Sequence, residues 1–232
     1  MIIIWSKLKA QIRKHPRLLG FFKFFTQLPV IATINKKLSP PTERFDARRG
    51  DAEIDYVDAY SHMVVAHIKR FKKDNSLLID IGCGYGYVTK ILSEISSISH
   101  IYAIDKISEK EFRNKNEKIT YLQRDITNLD REDKDVPVVD IVSSTEFIEH
   151  ISEVDAKNLL GWIHAHLRDG GMFVGSTPKN TTDLYKYSDS PFHIREYSIK
   201  DFVALLSDKD FSDIEIEERE DFFVWKAIVN KK

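Results

Sequence analysis

Leu77-Leu78-Ile79-Asp80-Ile81-Gly82-Cys83-Gly84-Tyr85-Gly86-Tyr87 is the stretch that decides the fold. A short, almost wholly apolar run meets three glycines at alternate positions, and helical spacing begins at Tyr87. That is a strand, a sharp turn and a helix in direct succession. Glycine has no Cβ, so the backbone can turn tightly here and lie close to a ligand. The spacing is G-x-G-x-G, which differs from the G-x-G-x-x-G that seats a pyrophosphate on a helix N-terminus. Asp80 adds a carboxylate two residues before the first glycine, suited to a cationic or amino-bearing ligand and repulsive to a diphosphate. A nicotinamide dehydrogenase fails on both counts.

Working outward, helical spacing covers Val57–Phe71 and Tyr87–Ile95, and short β-rich runs fall at Leu77–Ile81, Ile101–Ile104, Ile119–Gln123 and Val138–Ser143. A helix over Val154–Leu167, a strand over Met172–Ser176 and a helix over Ile199–Leu206 follow. The apolar runs are nearly continuous, as parallel strands covered on both faces require. Ile214–Glu218 and Phe222–Val229 are separated by too little chain for a crossover helix, so they pair antiparallel at one edge. The pattern predicts an α/β doubly wound sheet that ends in a hairpin.

The second strand ends in Asp105, 19 residues beyond Gly86, where an acid binds ribose hydroxyls. The third ends in Arg124-Asp125-Ile126, and the Asp125 carboxylate can accept from an exocyclic adenine amine. A single acid at a strand end is commonly a cap or a turn residue. Three of them, on three successive strand ends beside a glycine turn, converge on one crevice at the switch point of the sheet.

These residues resemble the class I S-adenosylmethionine-dependent methyltransferases. The first motif of that family is matched by Asp80–Gly86, its ribose acid by Asp105 and its adenine-side acid by Asp125. A later strand-to-loop motif is matched by Val139-Asp140-Ile141-Val142-Ser143-Ser144-Thr145-Glu146, and the approach to the fifth strand by Leu167-Arg168-Asp169-Gly170-Gly171. The resemblance covers about residues 43–230. It implies a Rossmann-like seven-stranded sheet with an antiparallel last strand and helices on both faces. It also implies that Gly82, Cys83, Gly84, Tyr85 and Gly86 hold the methionine part of S-adenosylmethionine. The remaining cofactor positions implied are Asp80, Asp105, Lys106, Asp125, Ile126 and Thr145, with Arg44 reaching the methionine carboxylate from an N-terminal lid.

After the fourth strand comes Thr145-Glu146-Phe147-Ile148-Glu149-His150. An E-x-x-E-H spacing on a helical turn puts both glutamates on one face with His150 beside them. His193, between the fifth strand and the next helix, can cover the same pocket. Glu146, Glu149, His150 and His193 make a candidate set for a divalent cation such as Mg²⁺. This constellation looks like that of metal-assisted O-methyltransferases, both ubiquinone-type and small-RNA 2′-O enzymes, in which the metal acidifies the acceptor hydroxyl. The alternative is metal-free: His150 or His193 as general base with Glu149 beside it, or a polar pocket wall.

The chain has 232 residues, 35 Lys+Arg and 36 Asp+Glu, for a net charge of −1. Residues 1–42 contain eight Lys/Arg and no acid, leaving 27 bases and 36 acids in residues 43–232. The first part reads as a basic amphipathic helical extension, the second as the catalytic domain. Ser39-Pro40-Pro41-Thr42 marks the hinge. Residues 1–38, with Trp5 and four Phe among the lysines, fit an anionic membrane surface or a protein partner, or else pack on the domain. The apolar stretch 18–34 is shorter than a spanning helix needs. An acidic domain argues against general nucleic-acid binding. One cysteine, Cys83, excludes a disulfide scaffold and fits a cytoplasmic protein, with or without attachment at the inner membrane face.

The order of Thr42-Glu43-Arg44-Phe45, His67-Ile68-Lys69-Arg70-Phe71 and Pro191–Ser198 is similar to methyltransferases encoded with glycosyltransferases in surface-polysaccharide pathways. That implies a sugar or glycan hydroxyl as acceptor. His67 and Arg70, one turn apart, also read simply as a solvated face. The competing acceptors are a small aromatic or quinone-type hydroxyl and, disfavoured by charge, an RNA 2′-hydroxyl. A non-catalytic cofactor-binding scaffold would have little use for the E-x-x-E-H run.

Overall fold

The alternation of side chains along a strand sends neighbours to opposite faces, and here both faces are apolar. Ile79, Ile81, Val142, Phe173, Phe223 and Trp225 belong to one core cluster, while Leu78, Ile141, Met172, Val174, Phe222 and Val224 belong to a second. The computed structural model describes residues 52–71, 73–129, 135–180 and 193–231. Arg44 and the whole basic extension lie outside the described residues.

The strands are β1 (Ser76–Ile81), β2 (Ile98–Asp105), β3 (Ile119–Gln123), β4 (Val139–Thr145), β5 (Leu167–Pro178), β6 (Phe211–Glu218) and β7 (Phe222–Val229). They form one seven-stranded sheet in the order β3-β2-β1-β4-β5-β7-β6. The first five strands run parallel, and β7 is antiparallel to both β5 and β6. This is the predicted doubly wound sheet with its antiparallel last strand. The final pair occupies the edge as expected, with β7 inserted inside β6.

Helices cover both faces. The helix α1 (Ala52–Arg70) and α2 (Tyr87–Ser93) bring Val64, Val65, Ile68 and Leu92 to the second cluster. On the other face α3 (Glu153–His166) and α4 (Ile199–Ser207) contribute Leu159, Leu160, Trp162, Ile163, Phe202 and Leu206. Ser152 caps α3 by accepting from Asp155 N at 3.1 Å, and Ser198 caps α4 by accepting from Asp201 N at 3.1 Å. Each serine satisfies one orphan donor of a helix start.

Asp140, 1% exposed, fixes the N-terminal end of β4. It accepts from Leu77 N at 2.9 Å, from Arg168 Nη1 at 2.6 Å and from Lys73 Nζ. Burial would raise its pKa, but these donors outweigh that and hold it below the usual carboxylate range. His67 is no solvated face: it is 4% exposed, and its Nε2 lies 2.9 Å from Glu217 Oε1 on β6. Arg70, 73% exposed, fits the solvated reading.

The chain leaves β1 toward β2 and β3, then returns to β4 on the opposite side of β1. The C-terminal ends of β1 and β4 therefore flank the crevice where ligands bind in open α/β sheets. Ile81 and Ser144 are register partners there.

Candidate active site

Gly82, Gly84 and Gly86 have φ of 68°, 50° and 85°, a region L side chains rarely adopt. Their reasons differ. A Cβ on Gly82 would meet the Phe147 ring at 2.2 Å, and one on Gly86 would meet Phe112 at 2.4 Å, whereas Gly84 has nothing within 4 Å. The outer glycines let aromatic rings close against the turn. Gly84 alone borders open space, so the cradle opens there.

Asp105 stands at the rim of the cradle. Its Oδ2 accepts from Gly84 N at 2.9 Å and its Oδ1 from Ile107 N at 3.1 Å. Two carboxylate oxygens offer about four lone-pair sites, so capacity remains for a vicinal pair of ribose hydroxyls. The open Gly84 and the half-exposed Asp105 thus fit the nucleoside and amino-acid ends of S-adenosylmethionine.

The Asp80 side chain is held by its protein neighbours. It is 2% exposed, with Thr89 Oγ1 donating to Oδ2 at 2.6 Å and Ser143 Oγ to Oδ1 at 2.8 Å. Burial pushes its carboxyl up to about 6 against the pull of those two hydroxyls, and nearby Asp105 adds to the rise. The side chain braces the turn from beneath. Ile126 is 6% exposed, its side chain part of the core.

Asp125 starts a 3₁₀ turn (Ile126–Asn128), accepting from Thr127 N at 3.0 Å and Thr127 Oγ1 at 2.8 Å. Those two bonds, with Lys106 nearby, hold its pKa low. The carboxylate is exposed and ionised beside exposed Lys106. Cys83 Sγ donates to Gly84 O at 3.7 Å, and burial, with Asp80 and Asp105, raises the thiol so that it stays protonated. Tyr85 carries the Arg113 guanidinium 4.8 Å from its ring centroid.

Phe147, packed on Gly82, links the glycine turn to the segment after β4. Glu146 has φ of +50°, and the only helical turn is a 3₁₀ one at Ile148–His150. The two glutamates therefore do not share the face of one helical turn. Glu146 N donates to Ser176 O at 2.9 Å, and its carboxyl accepts from Ser176 Oγ at 2.8 Å. Burial pushes Glu146 up to about 7 despite that bond.

Glu149 is fully buried, and Thr177 Oγ1 donates to its Oε2 at 3.0 Å. Its pKa is well raised by burial and by the neighbouring Glu146. Glu149 Oε1 lies 3.7 Å from His150 Nε2, and the His150 and His193 rings meet edge-on at 5.1 Å. His193 Nδ1 is 2.8 Å from Glu196 Oε1. Glu149 also anchors the strand-to-helix connection, its carbonyl accepting from Ile194 N at 2.7 Å and Arg195 N at 3.0 Å.

Glu149, His150 and His193 offer donor atoms all within 4.8 Å of one another. This donor set suits a divalent cation. Glu146 is not in the group, which corrects the four-residue set predicted from spacing. Thr145 ends β4 opposite Ser176, and its buried hydroxyl has no hydrogen-bond partner among the described residues.

Sequence spacing did not single out Ser176, Thr177 or Glu196. The first two lie near the C-terminal end of β5, at the same edge of the crevice, and a search of every strand's C-terminal end would have found them. Phe112 and Asn114, which close on the glycine turn from the loop after β2, carry no such signal.

The crevice, the glycine cradle and its rim acid define a Rossmann-like S-adenosylmethionine-dependent methyltransferase. A family model described as a methyltransferase domain matches residues 56–216, and the chain belongs to that family. Among curated proteins, no sequence matches the chain. The fold is similar to that of a 1,6-didemethyltoxoflavin-N1-methyltransferase from Burkholderia thailandensis, solved with S-adenosylhomocysteine, at TM-score 0.60 and 19% identity over 85% of this chain and 87% of that one. It is similar to an S-adenosylmethionine-dependent methyltransferase from Mesorhizobium loti, at TM-score 0.57 and 18% identity over 74% and 99%. A phosphoethanolamine N-methyltransferase 2 from Haemonchus contortus, in complex with S-adenosylmethionine, gives TM-score 0.58 and 16% identity over 73% and 53%. At these identities the likeness is one of fold. No described helix is long and apolar enough to cross a membrane.

Proposed function

We propose that the protein methylates a hydroxyl oxygen of a sugar or glycan, with His150 as the general base. The observation that carries this is the His150 imidazole beside buried Glu149 and edge-on to His193, joined to the cofactor turn through Phe147 on Gly82. The order of short sequence motifs supports the sugar class.

S-adenosylmethionine, when bound, supplies an electrophilic methyl on a sulfonium. Gly84 and Asp105 would hold and orient it, and in-line alignment would supply much of the rate. His150 would take the acceptor's proton as the methyl passes to that oxygen, the sulfonium C–S bond breaking to leave S-adenosylhomocysteine. The buried Glu149 Oε1 lies 3.7 Å from Nε2, on the inner side of the ring. A second reading rests on the 4.8 Å donor cluster of Glu149, His150 and His193, which would hold a divalent cation that acidifies the acceptor. Residues 1–38 would bring the domain to an anionic membrane surface or a protein partner.

Candidate glycans, quinols and RNA are incubated with the enzyme and S-adenosylmethionine, and products are read by mass. A methyl gain on a glycan oxygen supports the first reading, and a gain confined to a quinol, an RNA or a nitrogen sinks it. On the acceptor found, His150→Ala lowers kcat by about 10²–10⁴-fold with cofactor affinity retained. Loss of activity in EDTA, restored by Mg²⁺, selects the metal reading instead.

A further inference from the structure

We propose that Asn114 is a positioning residue for the cofactor, clamping the glycine turn from the loop after β2. The inference rests on the reading that Gly82–Gly86 seats S-adenosylmethionine. Asn114 Nδ2 donates to Gly86 O at 2.8 Å and reaches Tyr85 O at 3.4 Å. Beside it Arg113 N donates to Tyr85 O at 3.1 Å, and Arg113 Nη1 donates to Tyr87 Oη at 2.8 Å.

The clamp is continuous. Phe112 occupies the space a Cβ on Gly86 would need, and its ring stacks on Tyr121 at 4.6 Å. Tyr121 Oη donates to Ile107 O at 2.8 Å, closing the root of the loop. At that root Asp105 takes Gly84 N. The segment from Asp105 to Asn114 therefore grips the turn at Gly84, Tyr85, Gly86 and Tyr87, and leaves open only the side of Gly84.

The backbone there sits at positive φ through Gly84 and Gly86, and free glycine populates other regions about as readily. Something outside the turn must hold it in shape before the ligand arrives, and preorganisation of this kind lowers the ordering cost of binding. Asn114 is placed to do this, because its one amide nitrogen spans the carbonyls of both Tyr85 and Gly86.

The test measures S-adenosylhomocysteine binding by calorimetry for wild type, Asn114→Ala, Asn114→Asp, Asn116→Ala and Gly84→Val. Asn116 belongs to the same loop but donates to Ser93 Oγ at 3.2 Å, away from the turn. Asn114→Ala weakens binding about tenfold, the equivalent of one to two neutral hydrogen bonds. Asn114→Asp, which keeps the shape but turns a donor into an acceptor facing two carbonyls, weakens it further. Asn116→Ala binds as wild type does. Amide exchange in residues 82–87 quickens in unliganded Asn114→Ala and returns to the wild-type rate at saturating S-adenosylhomocysteine. Unchanged affinity in both Asn114 variants overturns the proposal, as does faster exchange spread evenly over the domain. If Gly84→Val binds like wild type, the seat of the cofactor itself has been misread.

Discussion

Replacing Asp80 by asparagine separates the stability of the fold from its use of a buried charge. The carboxyl is 2% exposed and titrates at about 6, against 3.8 for the unperturbed group. A shift of one unit corresponds to about 1.4 kcal/mol, so ionised Asp80 costs the folded state about 3 kcal/mol. Between the two values the folded chain binds more protons than the unfolded one, so the contribution to stability falls as pH rises from about 4 to 6 and stays low above.

The asparagine side chain is neutral throughout, and the hydroxyls of Thr89 and Ser143 can rotate to accept from its amide. Asp80→Asn should therefore gain about 2–3 kcal/mol at pH 7.5 and nothing at pH 4. Urea unfolding of both proteins at several pH values measures the difference directly. The same substitution removes the negative field beneath the turn and should weaken binding of cationic S-adenosylmethionine more than that of neutral-sulfur S-adenosylhomocysteine. A variant no more stable than wild type at pH 7.5, with a parallel pH profile, would refute the assignment of Asp80 as a strained buried acid.

Asp140→Ala removes the acceptor shared by Leu77 N, Arg168 and Lys73. Because both cations are half-exposed and can rehydrate, we expect a loss of about 3 kcal/mol in chemical denaturation, with cofactor affinity retained in the folded fraction. Gly82→Ala sets a Cβ 2.2 Å from the Phe147 ring at φ of 68°. It should cost about 2–4 kcal/mol and disturb both the turn and His150, read as weaker S-adenosylhomocysteine binding together with a lower melting temperature. Deleting residues 1–38 should shift the protein from membranes to the soluble fraction on centrifugation, and an unchanged distribution counts against surface attachment.

The order of elements was legible because each strand is an apolar run bounded by polar or glycine residues. Their ends were less so. Strand β2 begins at Ile98, ahead of the predicted Ile101, because Ile98 and His100 pair with Ser76 and Leu77 while Ser99 bulges out between them. Strand β5 begins at Leu167 and includes Gly170 and Gly171, with an irregular register against Val139 and Ile141. Strand β6 starts at Phe211, before a bulge in which Asp213 takes φ of 46°. Bulges and irregular pairings depend on the partner strand, which periodicity does not register.

In the site, the glycine turn and Asp105 were legible because their chemistry is local to one segment. The arrangement of Glu146 was not. Its positive φ and its bond to Ser176 arise from the neighbouring strand, and no spacing rule within residues 145–150 encodes that. The partners of Asp80 were not legible either, since Thr89 and Ser143 come from α2 and β4, away from the glycine segment.

If the cofactor lies in the crevice between the ends of β1 and β4, a crystal structure with S-adenosylhomocysteine will show ribose hydroxyls on Asp105, the homocysteine portion against Gly84 and the sulfur turned toward His150. Density for the ligand elsewhere, or a nucleoside seated with no contact to Asp105 or the Gly82–Gly86 turn, would contradict that placement.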